Sequence, residues 1–207
     1  MRKVTIKIGS SVLLTKRNKL DEFRIAHIAD QIASLKKKGV GVVLVVSGAV
    51  ACGAKYIQFS FHDKKLKMAA AGIGQAYLNS AFQKIFSRKG LRIAQILLTK
   101  DLLDSKRIKE GVNDLIQYYL QIGVVPVINE NDVIDLNSFG GNDFLGARVA
   151  ALIEAESLLI LSTMTGSKFG IGGGETKLQA MAMLNQENIQ ASIVDGKNIN
   201  ILFKTIL

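Results

Sequence analysis

Apolar and polar positions along this chain alternate between two periods, and the alternation marks out its elements. Val4 to Ile8 reads as a strand. Phe23 to Lys38 puts Ile25, Ile28, Ala29, Ile32 and Leu35 on one face of a helix, with Asp21 as N-cap and Gly39 as the stop. Val42 to Val46 is an unbroken apolar run rich in β-branched residues, as in a strand covered on both faces. Lys64 to Phe86 is predicted to be mostly helical, with a break near Gly72-Ile73-Gly74, and Ala94 to Leu98 to be a strand. Ile108, Val112, Leu115, Tyr119 and Ile122 form a helical stripe, followed by a strand at Val124 to Ile128. A helix over Asp143 to Ala155, a strand over Leu158 to Leu161, a helix from Thr176 to about Gln186 and a last strand over Ile189 to Val194 complete the pattern.

Strands and helices in strict alternation, with strands apolar throughout, call for a three-layer α-β-α sandwich around a mainly parallel sheet. There is no repeat or linker, and residues 1–207 read as a single domain. Folds of this kind collect ligands beyond the carboxyl ends of their strands. The polar motifs of this chain each follow an apolar run.

Composition narrows the function. At 207 residues the chain can bury a sizeable core; 48% of it is apolar and 21% charged, an ordinary globular balance. No apolar run is long enough for a membrane span, and the N-terminus goes straight into a strand pattern with no apolar signal-peptide core. A single cysteine, Cys52, excludes an internal disulfide and a multi-cysteine metal site, and points to a cytoplasmic, reducing setting. Net charge is +10, from 27 basic and 17 acidic residues. Aromatics make up only 6% and do not interleave with the lysine runs at 36–38 and 64–67. The charge therefore fits a solvated surface and an anionic small substrate better than nucleic acid.

Five segments can carry chemistry. Lys7-Ile8-Gly9-Ser10-Ser11 ends the first strand with a cation and bare backbone, suited to phosphate, or simply turns the chain. Ser47-Gly48 follows the second strand and offers a hydroxyl or an N-cap. Asn129-Glu130-Asn131-Asp132 crowds four polar residues after a buried strand; Asp132 can take an ammonium group, and the asparagines a carboxylate or a turn. Gly140-Gly141-Asn142-Asp143 opens a helix that Asn142 can cap, and Asp143 can hold lysines in place. Gly170 to Lys177 is a glycine cluster running into a helix; it is neither a Walker A loop nor a dinucleotide fingerprint. Glycines with Thr176 and Lys177 at a helix start fit phosphate, or else a flexible linker. Both histidines, His27 and His62, read as packing or surface residues.

Taken in order, these segments, with Gln95 to Thr99, Phe139 and Leu161-Ser162-Thr163, resemble the amino acid kinase family over nearly the whole chain. The Asn-Glu-Asn-Asp segment is similar to the branch that phosphorylates the side-chain carboxylate of L-glutamate with ATP and Mg²⁺. The resemblance implies that Ser47, Asp132 and Asn142 hold glutamate, and that Lys7 bridges substrate and phosphates. It implies that Asp143 organises Lys7 and Lys177. Gly9, Ser162, Thr163, Ile171, Gly172, Gly173, Gly174, Glu175, Thr176 and Lys177 would lie at the ATP site. It further implies a cytoplasmic homo-oligomer, with proline as a feedback inhibitor and without nucleic acid or membrane as partner.

The chain departs from that pattern. Many members carry Asp where Gly141 stands, Thr and Met where Ile171 and Gly174 stand, and a pair ending in Asp where this one ends in Thr163. Fewer than ten residues separate Leu161 from the glycine cluster, where the family has a much longer stretch. Gly141 is expected to remove some substrate-site charge, the other substitutions weaken the match at the ATP site, and so short a stretch is expected to lower ATP affinity. The RNA-modification-type domain that follows in many members is absent from the sequence. A kinase of isopentenyl phosphate or of a nucleoside monophosphate, and a catalytically silent relative, are the competing readings.

Overall fold

The computed structural model describes residues 1–17, 19–58, 60, 62–163, 174–185 and 189–206. The strands are β1 (Lys3–Ile8), β2 (Gly41–Val46), β3 (Arg92–Leu98), β4 (Val124–Glu130), β5 (Ser157–Ser162) and β6 (Gln190–Asp195). The helices are α1 (Ser10–Leu13), α2 (Glu22–Lys37), α3 (Ala49–Ala54), α4 (Lys64–Ser87), α5 (Lys100–Asp104), α6 (Lys106–Gln121), α7 (Asn142–Leu152), α8 (Gly174–Asn185) and α9 (Ile201–Ile206). One sheet holds the six strands in the order β3-β4-β2-β1-β5-β6, and all its pairings are parallel.

The period-two alternation of the strands splits the interior into two cores. Val4, Ile6 and Ile8 of β1 pack with Val42, Leu44 and Val46 of β2 under α2, α4 and α9. Val43, Val45, Leu158 and Ile160 face α6, α7 and α8. Thr5 and Lys7, the residues of β1 between the first set, therefore stand on the second face. Helix α2 starts at Asp21, whose carboxylate accepts the Arg24 N–H at 2.9 Å, and stops at Gly39, where φ is 78°.

Two expectations are corrected. Helix α4 runs unbroken through Gly72-Ile73-Gly74. Its glycine there serves a contact instead of a break: a Cβ on Gly74 would lie 1.8 Å from the Ala49 carbonyl oxygen, and one on Gly53 would lie 1.9 Å from that of Ala70. Helices α3 and α4 thus touch backbone to backbone. Strand β4 also extends two residues further than its apolar run, because Asn129 and Glu130 continue the ladder opposite Leu97 and Leu98. Both are buried.

From β1 the chain crosses to β2 on one side, and β5 and β6 are added on the other. Helix α2 lies on one face and α8 on the opposite one. The carboxyl ends of β1 and β5 are therefore the switch point of the sheet, the place where folds of this kind form their crevice.

Candidate active site

The crevice is closed at its base by backbone. The Gly9 N–H donates to the Leu161 carbonyl at 2.9 Å and ties the ends of β1 and β5 together. A Cβ on Gly9 would sit 3.1 Å from that oxygen and 3.8 Å from Lys7 Nζ, so the bare glycine leaves the approach to the lysine open.

Lys7 lies in register between Val45 and Ile160, near the end of β1. Gly146 of α7 covers its stem: a Cβ there would meet Lys7 Cβ at 3.4 Å. The Lys7 ammonium is 2.7 Å from Asp143 Oδ1, and the Lys177 ammonium is 3.6 Å from Oδ2 of the same carboxylate. The side chains of Lys7 and Asp143 are only 8% and 6% exposed. The Lys7–Asp143 contact is a buried ion pair at hydrogen-bonding distance. Burial pulls the Lys7 pKa down; the Asp143 charge opposes this and Lys177 reinforces it. Two cations on one buried anion leave a positive balance, the condition for receiving an anionic group.

The other half of the crevice is polar in a different way. Asn142, the first residue of α7, donates from Nδ2 to Asn129 Oδ1 at 3.1 Å, which also accepts the Glu130 N–H at 2.9 Å. Asn129 Nδ2 donates in turn to Gln75 Oε1 of α4 at 2.8 Å. Asn142 does not cap its helix; Gly141 holds the N-cap position with φ 124° and ψ 155°, a conformation that glycine tolerates. Asn142 Oδ1 is buried without a partner. Such an acceptor costs about 1–3 kcal/mol unless a ligand donor fills it. Asp132 accepts the Asn137 N–H at 3.0 Å; burial raises its pKa, the Asn137 bond opposes this, and Asp135 adds to it. Glu130 accepts the Phe139 N–H at 2.9 Å.

The remaining site residues named from the sequence fall at the same edge of the sheet. Ser47 follows β2, its N–H donating to the Ile8 carbonyl at 3.1 Å, and Gly48 at φ 107° turns the chain into α3. Ser162 ends β5, its carbonyl accepting the Gly196 N–H at 3.0 Å, and Thr163 follows it. Gly174, Glu175 and Thr176 form the start of α8, two residues earlier than the sequence placed it. Ile171, Gly172 and Gly173 lie outside the described residues. Cys52 is buried, which pushes its thiol pKa up to about 11, as for a small apolar filler.

Sequence reasoning passed over Gln75 and Gly146 and gave Glu130, named within its motif, no role of its own. A glycine inside an otherwise good helix signals close approach, and Gly146 fits that rule. Gln75 carries no local signal, because its role depends on β4 passing beside α4.

A parallel sheet with two lysines gathered on one carboxylate at its carboxyl edge defines an α/β protein with a cationic site suited to an anion. The profile described as the amino acid kinase family matches residues 2–166. The chain belongs to the amino acid kinase family. It is 32% identical to the glutamate 5-kinase of Clostridium acetobutylicum over 234 aligned positions, covering 95% of this chain and 88% of that protein. Against the glutamate 5-kinase of Aquifex aeolicus it is 34% identical, over 97% of this chain and 65% of that protein. Against that of Azoarcus sp. strain BH72 it is 42% identical over 80% of this chain, which spans 46% of that protein. Among solved structures, isopentenyl phosphate kinase superposes with a TM-score of 0.71 at 15% identity, covering 99% of this chain and 96% of that one. UMP kinase from Ureaplasma parvum does so with 0.68 at 16%, covering 100% and 95%. At these identities the structures share the fold. No helix among the described residues is long and apolar enough to cross a membrane.

Proposed function

We propose that this chain transfers the γ-phosphoryl group of ATP to the side-chain carboxylate of L-glutamate, giving glutamyl 5-phosphate and ADP, the first step of proline biosynthesis. The observation that carries the reading is the charge division of the crevice. Lys7 and Lys177 crowd the nucleotide half, while Glu130, Asp132 and Asp135 line the acceptor half without a paired lysine or arginine among the described residues. An acceptor that brings its own phosphate, such as a nucleoside monophosphate or isopentenyl phosphate, would meet carboxylates there. An acceptor that brings an ammonium group would be held by Asp132, with Ser47 and Asn142 as further polar contacts.

In this reading the glutamate carboxylate, ionised at neutral pH, needs no general base. One of its oxygens bonds to the γ-phosphorus as the bond to the bridging β,γ-oxygen breaks, and the leaving electron pair stays on ADP. Positioning and charge neutralisation are the protein's tasks. Lys7 sits where acceptor and phosphoryl group meet, Lys177 on the nucleotide side, and Asp143 keeps both ammonium groups converged. Gly9 lets the phosphates approach. Ser162, Thr163 and the start of α8 flank the nucleotide, and Ile171 to Gly173 are assigned to it by resemblance. No cluster of three metal-ligating side chains occurs among the described residues, so Mg²⁺ would enter on the phosphate oxygens of ATP. The test is ADP release with L-glutamate, L-aspartate, N-acetylglutamate, UMP, isopentenyl phosphate and a blank. Turnover confined to L-glutamate is expected. Turnover with UMP or isopentenyl phosphate, or none with any acceptor, would overturn the reading. Proline added to the same assay tests it as a competing inhibitor.

A further inference from the structure

We propose that Glu130 is the positioning residue of the acceptor pocket, tying the returning end of the 131–141 loop to the end of β4 and so fixing both Asp132 and Asn142 for the substrate's ammonium-bearing end. The inference rests on the glutamate reading and gives Glu130 a role beyond the charge which that reading draws on.

Glu130 is the last residue of β4 and is 5% exposed. The loop leaves the strand at Asn131, whose N–H donates to the Leu98 carbonyl at 2.8 Å. It returns at Phe139, whose N–H donates to Glu130 Oε1 at 2.9 Å, and the Gly141 N–H weakly favours the charge of the same carboxylate. Asn142 and the start of α7 follow at once. One buried carboxylate thus closes the loop that carries Asp132, immediately before the amide that carries the unpartnered Asn142 Oδ1. Charge-assisted bonds from a carboxylate to backbone N–H groups are the strong kind.

The surroundings add a linkage. Asp132 and Asp135 are the acidic groups of the loop that act on Glu130. Arg148 of α7 lies over the Phe139 ring, 5.8 Å from its centroid, but pairs with Asp104 of α5. Lys100 of α5 meets the loop through its backbone N–H, which donates to Ser138 Oγ at 3.1 Å. Neither cation pairs with Glu130. Burial first, and then the two aspartates, push the Glu130 pKa up to about 7, against the Phe139 bond and the weaker Gly141 N–H. An ammonium group arriving at Asp132 cancels part of that repulsion and favours the ionised carboxylate. Substrate binding and loss of the Glu130 proton are then coupled, and the coupling is reciprocal.

Kinetics with L-glutamate and saturating ATP between pH 6 and 8, together with hydrogen exchange of the free protein, test this. KM for glutamate should rise about fivefold or more on going from pH 8 to 6, with little change in its kcat. Glu130→Gln keeps an acceptor oxygen but cannot titrate, and its KM should be nearly flat over that range. Any titration of Lys7 would enter both proteins alike. In Glu130→Ala the amide of Phe139 should exchange faster, and KM should rise while kcat falls less; Gln should restore the protection. Equal KM profiles in wild type and Glu130→Gln, or unchanged protection in Glu130→Ala, would overturn the proposal. If the alanine variant does not fold, the glutamine profile decides. A wild type inactive with glutamate at every pH overturns the substrate reading before any variant is made, while the exchange comparison still judges the tether.

Discussion

The Lys7 ammonium lies 2.7 Å from Asp143 Oδ1, although most of the chain separates the two residues in sequence. The pair is buried, and Lys177 reaches the other oxygen of the same carboxylate. Lys7→Met and Lys177→Met each keep most of the apolar stem and remove one charge. In the proposed reaction each should lower kcat by at least ~10²-fold, the scale of removing one preorganised charge donor. The double variant should lose less than the product of the two, since both lysines serve one transition state. Steady-state kcat of the three variants checks this, and near wild-type rates in folded single variants would remove both lysines from the mechanism.

Asp132→Asn should act on the acceptor alone. A charge-assisted contact is worth roughly 1.5–3 kcal/mol, so KM for glutamate should rise about 10- to 150-fold with KM for ATP little changed. An unchanged glutamate KM would place the ammonium elsewhere.

Gly74→Ala tests the seam between α3 and α4. The new methyl would lie 1.8 Å from a backbone oxygen, which no rotamer can relieve. A loss of at least about 1–3 kcal/mol is expected from such overpacking. Because α3 follows Ser47 and Gly48 directly, the glutamate KM should worsen too. Gly111→Ala is the control: it is exposed within α6, nothing lies within 4 Å of the added carbon, and it should stabilise by about 0.5–1 kcal/mol. Urea midpoints of the two variants should move in opposite directions.

The Glu130 carboxyl also makes stability depend on pH. Its folded pKa is raised, to about 7 from 4.5, so between those values the folded state holds the proton and the unfolded state does not. Stability must then fall as pH rises through that window, by at most about 3 kcal/mol at 1.36 kcal/mol per unit. Glu130→Gln removes the dependence. Relative to wild type the variant should gain stability from pH 4.5 to 7 and show a constant difference outside it. Urea titrations at pH 5 and 7.5 measure the change, and an identical difference at both values would contradict it.

The sheet was legible because β-branched runs such as Val42 to Val46 have no other stable use in a chain with this punctuation. The ends of elements were less so. Polar residues usually finish a buried strand, yet Asn129 and Glu130 stay in β4 because Gln75 and the Phe139 N–H satisfy them there. Gly72 and Gly74 looked like a break because glycine weakens an isolated helix, whereas the packed helix gains a close contact. In the candidate site, residue types were readable from motifs, but their convergence was readable only through the family resemblance. Lys7, Asp143 and Lys177 come from three separate segments, and no periodicity spans them. The Gly146 contact that seats α7 over Lys7 also depends on the sheet order.

The switch point beside β1 divides the molecule in chain order as well as in space. Every acceptor-side residue precedes β5, and apart from Lys7, Gly9 and Asp143 the nucleotide-side residues follow from its end. The Clostridium alignment needs 234 positions for a chain of 207 residues, so that relative carries stretches this one lacks. The family profile ends at residue 166, just past β5. A chain laid out in this way can be shortened or lengthened after β5 without re-registering a single strand of the acceptor pocket. In the proposed reaction, the grip on the phosphate donor is then open to retuning as an independent module, with the acceptor pocket inherited intact.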